Sequence, residues 1–218
     1  MSKLNIDSKD SGFAIKYWIH IPNSNVLFNH LAKNAGTSIL NSISNFYDLK
    51  PLEIFNHRLK DKEYSYNLLK SEKYKKFTVI RNPLDRFLSA FNDKVLINSH
   101  EPYFSKFNKK YLHVKDINEK LNLFLNFITE NNFSKYDIHI RPQYMLVSSE
   151  SINYNLILKV DNLHNDWNKV REILNIDLAK PKFANKSNSV RLKNSISSDL
   201  IQRINNLYSE DIKFYNNN

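Results

Sequence analysis

The sequence predicts an α/β fold: a three-layer sandwich with a mainly parallel central sheet flanked by helices. Three observations predict it. Short apolar runs at 26–31, 77–80 and 155–160 have the length and composition of buried strands. Stretches with apolar residues at helical spacing alternate with them. The first two runs also lead into a cation, a turn and a helix start. That is the form of a βα unit, whose ligand side lies beyond the carboxyl end of the strand.

The elements follow in order. Run 26–31 is a buried strand, and 37–47 is a helix with Ile39, Leu40, Ile43 and Phe46 on one stripe. Residues 48–65 read as a loop containing Pro51, His57 and Arg58, and 66–76 as a short amphipathic helix. Run 77–80 is the second strand. Pro83 then suits the first turn of a helix whose apolar positions are Leu84, Phe87, Leu88, Phe91 and Val95. Residues 98–117 are polar and aromatic and read as a surface excursion. Leu121, Phe124, Leu125 and Ile128 mark a helix over 119–131. Run 155–160 is the third strand, and 163–174 and 197–215 are the remaining helices. No repeat or low-complexity linker divides the chain, so 1–218 reads as one domain with 1–20 peripheral to it.

Composition narrows the function. With 32 Lys+Arg against 22 Asp+Glu, the formal charge of +10 favours an anionic partner. At 13% aromatic, the chain has material for a substantial core. There is no cysteine, which excludes disulfides, thiolate metal sites and cysteine nucleophiles. No apolar run approaches the ~20 residues that span a bilayer, and residues 1–12 are too polar for a secretory signal. A cytoplasmic location is therefore expected, with the basic surface compatible with peripheral contact to a membrane.

The chemistry concentrates in two segments. The first is K-N-A-G-T-S at 33–38. A strand-to-helix turn offers free backbone N–H groups and the positive end of a helix dipole. Lys33 adds a full charge, Gly36 permits positive φ or close approach, and Thr37 and Ser38 supply hydroxyls. With Asn34 and Ala35 these residues form a candidate phosphate cradle. It is not the G-x-x-x-x-G-K-[ST] loop of nucleotide triphosphatases, since the lysine precedes Gly36 and the segment holds no second glycine. The second segment is F-T-V-I-R-N-P-L-D-R-F-L-S-A-F at 77–91. Arg81 follows the strand directly and Ser89 lies about two helical turns on. The guanidinium and the hydroxyl could share a second phosphate. Asp85 and Arg86 read as a surface or helix-start pair.

These segments together resemble the sulfotransferases. K-N-A-G-T-S resembles their 5′-phosphosulfate loop, and R-N-P-L-D-R-F-L-S-A-F their 3′-phosphate element. R-P-Q at 141–143, just after His139, resembles the H-W-R-P-Q of the carbohydrate branch, which is related to chondroitin 4-, HNK- and heparan 2-O-sulfotransferases. N-L-I-L-K-V-D-N-L at 155–163, N-K-S at 185–187 and the tail from Asn206 to Tyr215 are similar to that branch as well. Ile140 stands where the relatives carry Trp, and Ala32 where they carry Pro.

The resemblance implies a P-loop-like fold and 3′-phosphoadenosine 5′-phosphosulfate as donor, with no metal required. It implies a carbohydrate or glycan hydroxyl, one that could be acidic, as acceptor. Lys33 would act with the cradle at the reacting end, Arg81 and Ser89 would hold the 3′-phosphate, and Lys186 and Ser187 would close over the nucleotide. The base would be a histidine, His57 first and His139 second. Arg58, His139 and Arg141 are candidate acceptor contacts, with Lys94, the lysines of 106–110, Tyr103, Phe104 and Tyr111 as further ones. Other readings stay open at this point. A nucleic-acid-binding protein would explain the charge but not the paired cradles. A nucleotide kinase would need the missing loop, and an inactive donor-binding module would bind without turnover.

Overall fold

A computed structural model describes residues 15–50, 53–97, 102–130, 137–147, 152–181 and 187–218, with the side chains of 16, 102, 103 and 187–190 excepted. Lys186, called as a donor contact, lies outside the described residues, and so do the side chains of Ser187 and Tyr103. The described chain forms two compact units. One takes residues up to 81 and from 143 to 181, the other residues 82–142 and 187–217.

The first unit is the sheet. Its strands are β1 (Trp18–His20), β2 (Val26–Asn29), β3 (Lys75–Ile80) and β4 (Leu156–Lys159), in the order β1-β2-β3-β4. β2, β3 and β4 run parallel, with Phe28 beside Phe77 and Phe77 beside Leu156. β1 is antiparallel to β2 at the edge. The strands alternate strictly because side chains leave a strand on opposite faces. Ile19, Val26, Phe28, Phe77, Val79 and Leu158 face α1 (Gly36–Phe46) and α7 (Trp167–Leu174), which bring Ile39, Leu40, Ile43, Trp167 and Val170 to the same core. Trp18 and Leu27 face the other way, onto Leu68 and Leu69 of α2 (Lys62–Lys70). Helices therefore cover both faces, as the sequence predicts.

The second face also carries buried polar pairs. Asn29 Nδ2 donates to the Leu146 carbonyl at 3.1 Å and to the Tyr154 hydroxyl at 2.8 Å, and that hydroxyl donates to the Val147 carbonyl. Leu146 and Val147 belong to α6 (Gln143–Val147), a short helix absent from the expectations. Burial pushes the Tyr154 phenol far above its ordinary pKa, so it stays a neutral donor. The buried Lys76 ammonium donates to the Ser71 and Tyr74 carbonyls, and burial lowers its pKa.

Both ends of α2 differ from expectation. α2 starts at Lys62 rather than near residue 66, because Asp61 caps it by accepting from the Tyr64 N–H at 2.7 Å. It ends at Lys70, so Lys75 and Lys76 open β3 instead of closing a helix.

The second unit is helical. It comprises α3 (Pro83–Phe91) running into a π-turn (Asn92–Ile97), α4 (Pro102–Lys110), α5 (Ile117–Thr129), α8 (Ser187–Ser195), α9 (Ser198–Leu207) and α10 (Ser209–Asn217). Asn82, Asp116 and Ser197 cap α3, α5 and α9 through their side chains. All the apolar positions expected on α3 and α5 are buried. The excursion expected over 98–117 is corrected in part: α4 sends Phe104 and Phe107 into the core against Phe124, so Phe104 is no surface stacking platform. Lys106, Lys109 and Lys110 do face solvent. Among the described residues, no helix is long and apolar enough to cross a membrane.

Candidate active site

The turn between β2 and α1 is built from unusual backbone. Lys33 and Ala35 both adopt positive φ, at 68° and 58°. Left-handed geometry at a residue with a Cβ costs roughly 1–2 kcal/mol, so the surroundings must hold the turn. They do so through Asn34, which is 1% exposed. Its Nδ2 donates to the Val79 carbonyl at 2.8 Å and to Gln143 Oε1 at 3.1 Å. The same Oε1 accepts the Arg81 N–H at 3.1 Å, and Gln143 Nε2 donates to the Arg81 carbonyl at 2.6 Å. Arg81 Nη1 completes the knot by donating to the Lys33 carbonyl at 3.0 Å.

The two cation-bearing strand ends are thus tied to each other, β2's through Lys33 and Asn34 and β3's through Arg81. Parallel neighbours make this possible, since their carboxyl ends lie side by side. Asn34 serves as a brace here, its Nδ2 donating twice to the protein. Gln143 is the residue that sequence reasoning missed. In the sequence it stands out only as part of R-P-Q, although its chemistry, an amide able to donate and accept at once, suits two backbone groups of one residue.

Gly36 plays the second of the two roles expected for it. The positive φ falls on its neighbours, and Gly36 itself opens α1. A Cβ built there would lie 2.3 Å from His30 Cδ2, so glycine lets the His30 ring sit against the turn. That ring also stands edge-on to Phe28 and Phe55, with centroids at 6.1 and 5.6 Å. Gly36→Ala must displace a packed ring, and we expect a loss of about 1–3 kcal/mol, read by chemical denaturation. His30→Ala in the same chain should recover most of it.

The start of α1 has no side-chain cap, because the N-cap position is Ala35. Its first N–H groups lack intrahelical partners by geometry and carry the positive end of the dipole. Thr37 is exposed and Ser38 and Lys33 are half-buried beside them. Such a turn suits a phosphate or sulfate group.

A sulfotransferase family model matches residues 17–217. The chain belongs to the sulfotransferase family. No curated protein and no solved structure matches it. Family membership makes this sulfotransferase an enzyme of sulfuryl transfer, and its mostly parallel sheet flanked by helices is consistent with the sulfotransferase fold.

The sheet unit of this sulfotransferase also carries His57 and Arg58. His57 ends a five-residue 3₁₀ turn (Glu53–His57), is exposed, and among the described residues has no hydrogen bond to its ring. Arg58 is half-buried with its guanidinium 4.2 Å from the Phe55 ring centroid.

The helical unit carries the other candidates. Ser89 is half-buried on α3. His139 and Arg141 lie in the turn before Pro142. The His139 backbone N–H donates to the Asp137 carboxylate at 2.9 Å, and its Nδ1 meets the same oxygen. Burial pushes the Asp137 carboxyl up, but these bonds outweigh it and hold the group below its usual range. Arg86 is corrected here. It is 1% exposed, not a surface group, and its guanidinium donates to the Arg141 carbonyl at 2.7 Å and the Ile138 carbonyl at 2.8 Å. Asp85 faces Lys193 at 3.5 Å instead.

Proposed function

We propose that this enzyme moves a sulfuryl group from 3′-phosphoadenosine 5′-phosphosulfate to a hydroxyl of a carbohydrate. The observation that carries the reading is the knot joining the 33–38 turn to Arg81. It favours a ligand with two anionic ends, because each motif supplies cationic or N–H donors and the strand ends are locked side by side. The uncapped start of α1 and the hydroxyls of Thr37 and Ser38 fit the 5′ end. Arg81 fits the 3′-phosphate, and the motif assigns Ser89 to it too. The family pattern adds Lys186 and Ser187 for the nucleotide.

In the reaction the acceptor oxygen bonds to sulfur as the bond from sulfur to the bridging phosphate oxygen breaks. Negative charge grows on the departing bisphosphate, and Lys33 with the turn N–H groups offsets it. The acceptor proton goes to a histidine, and His57 is the residue we assign. Its exposed ring, one residue before Arg58, is open to an incoming sugar.

A thermal-shift measurement with adenosine 3′,5′-bisphosphate tests the donor. At about 100 times its dissociation constant it should stabilise the fold by about 2.7 kcal/mol, and no shift would overturn the reading. His57→Ala should lower turnover by about 10²–10⁴-fold and leave the bisphosphate shift intact. Unchanged turnover across neutral pH would refute the base assignment.

A further inference from the structure

We propose that Arg58 reads an oxyanion, a carboxylate or a sulfate ester, on the acceptor itself. This rests on the sulfuryl-transfer reading and adds to it a specificity-determining residue.

The backbone under Arg58 is fixed on both sides. Arg58 forms an antiparallel bridge with Ile19 of β1, and its N–H donates to the Phe55 carbonyl at 3.2 Å. The next N–H, of Leu59, donates to the Trp18 carbonyl at 2.9 Å. The side chain is fixed as well, with the guanidinium over the Phe55 ring at 4.2 Å. An arginine anchored by sheet and ring has little freedom left to lose when it binds, which is what a recognition group needs.

Among the described residues the guanidinium nevertheless has no acceptor. Among the described residues no carboxylate pairs with it and no carbonyl takes its N–H groups, and Nε is buried without a partner. Burial lowers its pKa, opposed in part by the Tyr17 phenol. A cation taken partly out of water with empty donors is unfavourable by itself. A carboxylate or sulfate, each with two oxygens side by side, relieves it through two parallel N–H···O bonds, which a lysine cannot reproduce.

Place on the chain points to the acceptor. Arg58 directly follows His57, the residue assigned to the acceptor proton. Phe55 beneath it also meets His30, which sits on Gly36 of the donor turn. An anion on Arg58 would therefore belong to the molecule whose hydroxyl meets His57. The competing source is the donor, whose phosphates are oxyanions too.

The test uses the full chain, with and without saturating adenosine 3′,5′-bisphosphate. Three tetrasaccharides are titrated calorimetrically: unsulfated chondroitin, its carboxyl-reduced form, and the carboxyl-reduced form after chemical sulfation. We expect at least one anionic sugar to bind about tenfold or more tighter than the neutral one, about 1.4 kcal/mol. Arg58→Gln should bring that ratio to near one, and Arg58→Lys should restore it only in part. The bisphosphate shift in melting temperature should be the same in all three proteins, which also checks folding. A ratio kept by Arg58→Gln overturns the proposal, as does a wild type that binds all three sugars alike or none. A bisphosphate shift lost only in Arg58→Gln assigns the anion to the donor and overturns it too. Failure of the sulfuryl-transfer reading looks different: the wild type itself would show no bisphosphate shift.

Discussion

Lys33→Ala is expected to reduce the rate of sulfuryl transfer by at least about 10²–10³-fold, the usual cost of removing one donor from developing negative charge. The backbone makes this substitution unusually clean. Lys33 holds φ at 68°, and alanine meets the same left-handed penalty as lysine, so the turn gains nothing by the change. The Lys33 carbonyl, which accepts from Arg81, is also retained. Stability should therefore move by less than about 0.5 kcal/mol, while single-turnover rates collapse. Lys33→Gly is the informative control: it removes the same ammonium but relaxes the backbone, and should raise stability by up to about 1 kcal/mol with the same loss of rate. A Lys33→Ala enzyme within threefold of wild type in single turnover would remove Lys33 from the chemistry.

How far the sequence reached depends on the range of the contact that decides each feature. The three parallel strands, the stripes of α3 and α5, and that of α1 apart from the exposed Phe46 were legible because burial imposes a period on neighbouring residues. The start of α2 was misplaced because its signal is one capping side chain, Asp61, in a stretch with few apolar residues. β1 was missed because three residues show no periodicity, and its existence depends on pairing with β2.

At the site, the phosphate-cradle residue types were readable as a motif, but their support was not. Gly36 was read correctly as a special position. That its value lies in the His30 ring, and that Lys33 and Ala35 take the strained angles instead, depends on contacts no local pattern encodes. Arg86 looked like a surface charge since its acceptors are carbonyls more than fifty residues away along the chain. Phe104 looked like an exposed stacking ring because its partner, Phe124, lies on another helix.

The strongest structural consequence belongs to Gln143. It is fully buried, and Gln143→Leu keeps much of its volume while removing every polar contact. The Arg81 N–H, the Arg81 carbonyl and one bond from the Asn34 amide would then lose their partner. Each buried group left unpaired costs about 1–3 kcal/mol, so a total of about 3–5 kcal/mol is expected. For a chain of this size that lowers the melting temperature by roughly 10 °C, at about 2–4 °C per kcal/mol. The donor turn should loosen with it, because Asn34 would keep only its bond to Val79 to hold Lys33 and Ala35 in left-handed geometry. Bisphosphate affinity should fall even though Gln143 lies beneath the turn as a brace. A double-mutant cycle separates this from simple core damage. Asn34→Ala should cost less in the Gln143→Leu background than in wild type, by about 1 kcal/mol or more, since part of its role is already gone. Strictly additive losses would mean that Asn34 and Gln143 stabilise the fold independently, and that the turn is held by something other than their shared hydrogen bond.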